Sequence, residues 1–151
     1  GCDDVRFFIS TNKGEDPKPL AKIASGGEVS RVMLSLKSIL AKEQHLPVMI
    51  FDEIDTGISG NISEKVGREM RKLSAHCQIV AITHQPQIAS QAHRHYRVEK
   101  TDEGERTVTR IIPLSREEHI REVAALMSGE NISDSALSSA RELIERVGVR
   151  N

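Results

Sequence analysis

Aromatic residues are scarce in this chain: there is no Trp, one Tyr and three Phe in 151 residues. Tyr96 is the only aromatic near the run of basic residues that starts at Arg94, so stacking on bases has little support there. There are two cysteines, Cys2 and Cys77. They have neither metal-site spacing nor the density of a disulfide framework, which points to a reducing, cytoplasmic setting. No apolar run approaches the ~20 residues of a membrane span, and no secretory leader pattern is present, so no membrane partner is expected. The formal net charge is −1, which provides no global field to draw in a polyanion. Internal repeats, low-complexity tracts and sustained heptads are lacking. So is the G-x-x-x-x-G-K-[ST] loop that cradles phosphates. The chain opens on Gly1 rather than Met, which reads as a fragment or a processed piece.

The residues that are present suit one soluble domain with one core: 38% are apolar and 28% charged, as in ordinary globular proteins. The chain is organised around Val48-Met49-Ile50-Phe51 followed by Asp52, Glu53 and Asp55. Four apolar residues in a row predict a strand buried on both faces, as in a parallel sheet, with Pro47 marking its start. Acids arriving directly after such a strand belong at the carboxyl edge, where open α/β sheets bind ligands. A carboxylate held there is costly unless it is paired or serves a metal, so a nearby cation is expected. The alternative is a plain strand leading into a helix N-cap.

Upstream, Val5 to Ser10 predicts a strand and Thr11 to Pro19 a loop. A helix follows, running to about Lys42, with Val29, Val32, Met33, Leu36, Ile39 and Leu40 on one expected inner face. Ser25 is its candidate N-cap. Gly26 and Gly27 in the first turn are poor helix formers. They make sense if something must approach the backbone, and exposed N–H groups at a helix start favour phosphate; otherwise they simply finish a loop.

Downstream, a helix is predicted from about Gly60 to Ser74, with Ile62, Val66, Met70 and Leu73 inward. Cys77 to Ile82 predicts a second buried strand, ending in Thr83-His84-Gln85-Pro86. Of the six histidines only His84 falls at the carboxyl end of a predicted core strand; His93 and His95 read as surface residues. A β-hairpin is predicted over 95–114. A capping box at Ser115 to Glu118 opens a helix with Ile120, Val123, Ala124 and Met127 inward. A last helix from about Ser133 is expected to pack back on the sheet.

Three blocks carry a family resemblance: Ser25-Gly26-Gly27-Glu28 opening a long helix, Phe51-Asp52-Glu53-Ile54-Asp55-Thr56-Gly57, and Thr83-His84-Gln85-Pro86. In this order they resemble the signature motif, Walker B strand with D-loop, and switch histidine of ATP-binding cassette ATPase heads of the SMC kind. With Arg121-Glu122-Val123-Ala124-Ala125-Leu126-Met127-Ser128-Gly129 they resemble, within that group, the RecN family acting in DNA double-strand break repair and recombination. The resemblance implies an α/β fold: the C-terminal half of an ABC/SMC-type head, with a mostly parallel sheet flanked by helices, a hairpin and a two-helix tail. Residues 1–151 would be a C-terminal head lobe, the N-terminal Walker A lobe and a coiled coil lying elsewhere. It implies ATP and Mg²⁺ as cofactors. Asp52 would serve the metal, Glu53 would be the general base and His84 would meet the γ-phosphate. Ser25, Gly26, Gly27 and Glu28 would face the nucleotide of a second head in a homodimer, with Asp55 at that interface. It also implies DNA as a partner and a nucleoid-associated, cytoplasmic location. Alternatives are the lobe of another coiled-coil cassette ATPase, or a scaffold lobe without catalysis.

Overall fold

The computed structural model describes residues 4–10, 14, 16–19, 26–44, 47–104, 106–129 and 131–149. The single core expected from chain length is replaced by two compact units, residues 1–58 with 73–82 and residues 59–72 with 83–151.

In the first unit, β1 (Phe8–Ile9) pairs antiparallel with β2 (Lys18–Pro19). The expected strand over 5–10 is thus only two residues long, and the expected loop supplies its partner. Helix α1 (Gly26–Gln44) precedes β3 (Val48–Phe51). That strand pairs parallel with β4 (Gln78–Ala81), in register from Val48 opposite Gln78 to Phe51 opposite Ala81. The Ile82 N–H extends the ladder to the Phe51 carbonyl at 2.9 Å.

Burial of this pair is one-sided. Met49 and Phe51 are buried, whereas Val48, Val80 and Ile82 are exposed and Ile50 is 70% exposed. The prediction of strands buried on both faces fails here. A parallel sheet hides both faces only when a layer covers each, and this unit supplies one layer. The helix departs from expectation in the same way. Val29, Met33, Leu36 and Ile39, on the predicted inner face, are exposed, while Leu34 is 4% exposed. The packed side runs through Gly27, Arg31, Leu34 and Ser38, which are buried or half-buried and recur at i, i+4, i+7 and i+11, a helical stripe. Of its polar members, Arg31 reaches backbone carbonyls outside the helix, while the Ser38 hydroxyl donates to the Leu34 carbonyl within it at 2.7 Å.

The second unit holds most of α2 (Gly60–Leu73). Val66, Met70 and Leu73 are buried as expected, but Ile62 is exposed and Ser63 is fully buried in its stead. The Ser63 hydroxyl donates to the Ser59 carbonyl at 3.1 Å, which satisfies it without solvent. Gly67 permits a close approach: a Cβ there would stand 2.8 Å from Gln91 Cγ and 3.1 Å from the Gln87 carbonyl. Pro86 opens the short α3 (Pro86–Ala89) at its first position, where a missing N–H costs nothing.

The hairpin of β5 (Tyr96–Glu103) and β6 (Arg106–Pro113) forms as the sequence predicts, turning at Gly104 with φ +68°. Helix α4 (Arg116–Ser128) starts with the expected capping box: Ser115 Oγ accepts from the Glu118 N–H, and the Ser115 N–H donates to Glu118 Oε2 at 2.8 Å. Ala89, Ile120, Val123, Ala124 and Ala140 make the core, with Leu137, Leu143 and Ile144 of α5 (Asp134–Val149) packed on it. The last helix therefore packs on α4 rather than on a sheet. Ala124 and Ala140 are fully buried, and such small contact residues let helix axes come close. Met127, expected inward, is exposed.

His95 corrects another expectation. It is half-buried, not a surface residue. Its ring meets that of His119 edge-on, with centroids 4.8 Å apart, and His119 Nε2 lies 3.1 Å from the Ala89 carbonyl. Burial pushes both imidazole pKa values down. For His95 the neighbouring His119 pushes the same way and Glu122 opposes. The folded state therefore prefers both rings neutral. Above about pH 6.5 the folded and unfolded chains are both neutral at these positions and nothing is lost. As pH falls below that value the unfolded chain takes up protons first, so stability declines. Thermal melts at about pH 7.5 and about pH 5.5 should show this loss, and the double variant His95→Gln/His119→Gln should flatten it. An equal loss in the double variant would contradict the assignment.

Candidate functional site

The acidic turn grows directly out of β3. Phe51 is buried and paired to β4, so the chain leaves the sheet at a fixed point. Asp52 and Glu53 are exposed there. The chain then folds back: the Thr56 N–H donates to the Glu53 carbonyl at 3.1 Å, and Gly57 takes φ +70°. Ile54, fully buried, anchors the turn from beneath. Glu53 itself has φ +56° and is the only non-glycine with positive φ among the described residues. That region costs an ordinary residue of order 1–3 kcal/mol and persists only when its surroundings enforce it.

The first turns of α1 do the enforcing. A Cβ on Gly27 would stand 2.8 Å from the Thr56 carbonyl and 2.9 Å from the Glu53 carbonyl. Gly27 is buried, so the expectation of two glycines open at a helix tip does not hold for it. It is glycine because the acidic turn lies against its backbone. Arg31, one helical turn on, donates from Nη1 to the Ile54 carbonyl at 3.2 Å and the Thr56 carbonyl at 2.9 Å. The Ser30 hydroxyl reaches the Asp52 carbonyl at 3.4 Å. Arg31 and Ser30 were not singled out from the sequence. The available signal was a lone arginine four residues after Gly27 in an otherwise apolar-periodic helix.

The structure thus brings Gly27 together with the turn of Asp52, Glu53 and Asp55. Asp55, expected at the interface with a second head, is 3% exposed in this chain. Ser25 lies outside the described residues, and of Gly26 and Glu28 only the backbone in α1 is described. His84 stands in the second unit, exposed, just beyond the end of β4, and its neighbours Thr83 Oγ1 and the Gln85 N–H are bonded at 3.0 Å.

Among the described residues no group of three or more His, Cys, Asp and Glu could hold a metal. Mg²⁺ does not require such a cage: it keeps several waters and binds one or two carboxylates together with substrate phosphates. An exposed Asp52 at a sheet's carboxyl edge fits that mode. No helix among the described residues is long and apolar enough to cross a membrane.

No family model matches the chain. Curated relatives do. The DNA repair protein RecN of Treponema pallidum is 46% identical over 150 residues, 99% of this chain and 26% of that protein. RecN of Bacillus subtilis strain 168 is 42% identical over 146 residues, 97% of this chain and 25% of its own length. RecN of Haemophilus influenzae is 41% identical over 147 residues, again 97% of this chain and 26% of its own. The chain spans about a quarter of the length of these relatives. Among solved structures, one from work on ATP-driven dimerization and DNA-stimulated activation of SMC ATPases matches with a TM-score of 0.56. It covers 78% of this chain and 70% of that one at 22% identity, a likeness of fold. Over nearly its whole length the chain is similar to one quarter of these RecN proteins.

Proposed function

We propose that this chain is the signature and Walker B lobe of an SMC-like ATPase head, one part of a longer RecN-like protein acting in DNA double-strand break repair and recombination. The observation that supports this best is the packing of Gly27 and Arg31 of the signature helix on the turn that carries Asp52 and Glu53. A scaffold has no need of a strained, exposed glutamate held at a sheet edge. A Walker A lobe, supplied by the rest of the longer protein, would complete the nucleotide pocket. The open faces of β3, β4 and α1 are apolar enough to be covered by such a lobe, extending the sheet in the mostly parallel form of this fold.

In this reading Asp52 would hold the Mg²⁺ that accompanies ATP, and the ion would supply neutralisation of the phosphate charge. Glu53 accepts the proton of the attacking water, and His84 donates a hydrogen bond to the γ-phosphate. Ser25, Gly26 and Gly27, with Glu28, open the helix whose start faces the nucleotide of a second head, so that ATP holds two heads together. Phosphoryl transfer to water depends on positioning and charge stabilisation, the qualities a rigid turn provides. DNA is the macromolecular partner, engaged by the whole protein, and the setting is cytoplasmic at the nucleoid.

Head pairing tests this reading. Ser25→Arg in the full-length protein should abolish ATP-dependent pairing, read by light scattering, while ATP binding stays within about twofold. A loss of ATP binding instead would remove Ser25 from the signature role.

A further inference from the structure

We infer that Arg31 is the positioning residue that makes the acidic turn move as one body with the start of α1, and so sets the placement of Glu53. The inference rests on the ATPase reading and adds a residue that this reading does not contain. One guanidinium nitrogen bonds two carbonyls of the turn, Ile54 at 3.2 Å and Thr56 at 2.9 Å. Those residues flank Asp55 and follow Glu53 directly. Gly27, four residues earlier on the same side of the helix, has its backbone within contact of the Glu53 and Thr56 carbonyls. The turn is therefore held at two points by one helix, by close packing at Gly27 and by charge-assisted hydrogen bonds at Arg31.

Hydrogen bonds from a charged donor are the stronger ones. Glu53 carries the one positive φ outside glycine among the described residues, and a strained residue keeps its place only while its surroundings hold it. Anything that engages the N-terminal end of α1 shifts the anchor points Gly27 and Arg31 together. The geometry transmits that shift to Glu53 through the carbonyls of the turn. A lysine at 31 has a point charge on a flexible stem and would satisfy one carbonyl at a time.

The test uses Arg31→Ala and Arg31→Lys in the full-length protein. Arg31→Ala should raise amide hydrogen exchange over 54–57 about tenfold or more, with exchange over 48–51 unchanged. It should lower kcat by about 10²-fold with KM for ATP held within about twofold, the signature of a misplaced group rather than of lost binding. Arg31→Lys should recover part of kcat. A residue that merely stabilised the fold would lower the melting temperature without splitting kcat from KM. The inference is overturned if Arg31→Ala turns over like the unaltered protein, or if exchange over 54–57 does not change. Failure of the ATPase reading looks different: the unaltered protein would then hydrolyse no ATP at all, and the positioning role would fall with it.

Discussion

Replacing Glu53 by Gln in the full-length protein should lower steady-state ATP hydrolysis by about 10²–10⁴-fold, the range that general acid–base catalysis spans. Glutamine keeps the size and hydrogen-bonding reach of the side chain but cannot take a proton from water. ATP binding and head pairing, which need no proton transfer, should persist and the paired state should accumulate. The substitution should leave the turn intact, because the contacts of residue 53 with Gly27 and Thr56 are made by its backbone carbonyl. A Glu53→Gln protein with wild-type turnover would remove Glu53 from the role of base. A phosphate-release assay combined with nucleotide binding by filter retention separates the two outcomes.

Gly27→Ala should be nearly as severe, by a different route. The added methyl meets two backbone carbonyl oxygens at 2.8 and 2.9 Å, and backbone cannot swing aside as a side chain can. Arg31 Nη1 at 3.0 Å could move, but only by giving up its hold on the turn. Overpacking of this kind costs about 1–3 kcal/mol. The resulting displacement of the turn should cost about 10² in turnover, as misplacement of a reacting group by ~1 Å does. A melting curve and a turnover assay on one preparation check both effects. If Gly27→Ala keeps the wild-type melting temperature and turnover, the close packing of α1 on the acidic turn is not as described.

The parts of the fold that were legible in the sequence are those fixed by local chemistry. The hairpin over 96–113 and the Ser115–Glu118 capping box each follow from residues that determine their own backbone. The strand ending at Phe51 and the acids beyond it were legible because a short apolar run followed by charge has few other uses. What could not be read is which face of an element meets a partner. Val29, Met33, Leu36 and Ile39 form the more apolar stripe of α1, yet Gly27, Arg31 and Leu34 form the packed one, because the helix meets carbonyls of a turn that lies far along the sequence. Ile50 looks like core by composition and is exposed, because a strand's second face is buried only when another layer arrives. Ile62 and Ser63 exchange places for a related reason: a serine whose hydroxyl returns to the Ser59 carbonyl is cheap to bury.

The candidate site divides along the same line. Asp52, Glu53 and the two glycines stood out as motifs. Arg31 did not, since its acceptors are main-chain carbonyls that leave no mark in the sequence. Nor did the left-handed backbone of Glu53, an outlier imposed by its surroundings rather than by its own side chain. The burial of Asp55 was invisible for the same reason.

ATP hydrolysis by the 151-residue chain, alone and after mixing with the Walker A segment of the same longer protein, bears most directly on whether these residues form one side of a shared nucleotide pocket. The chain alone should give no turnover above background, and the mixture should hydrolyse ATP in a manner that Glu53→Gln abolishes. Robust turnover by the chain alone, or a mixture whose activity ignores Glu53→Gln, would contradict it.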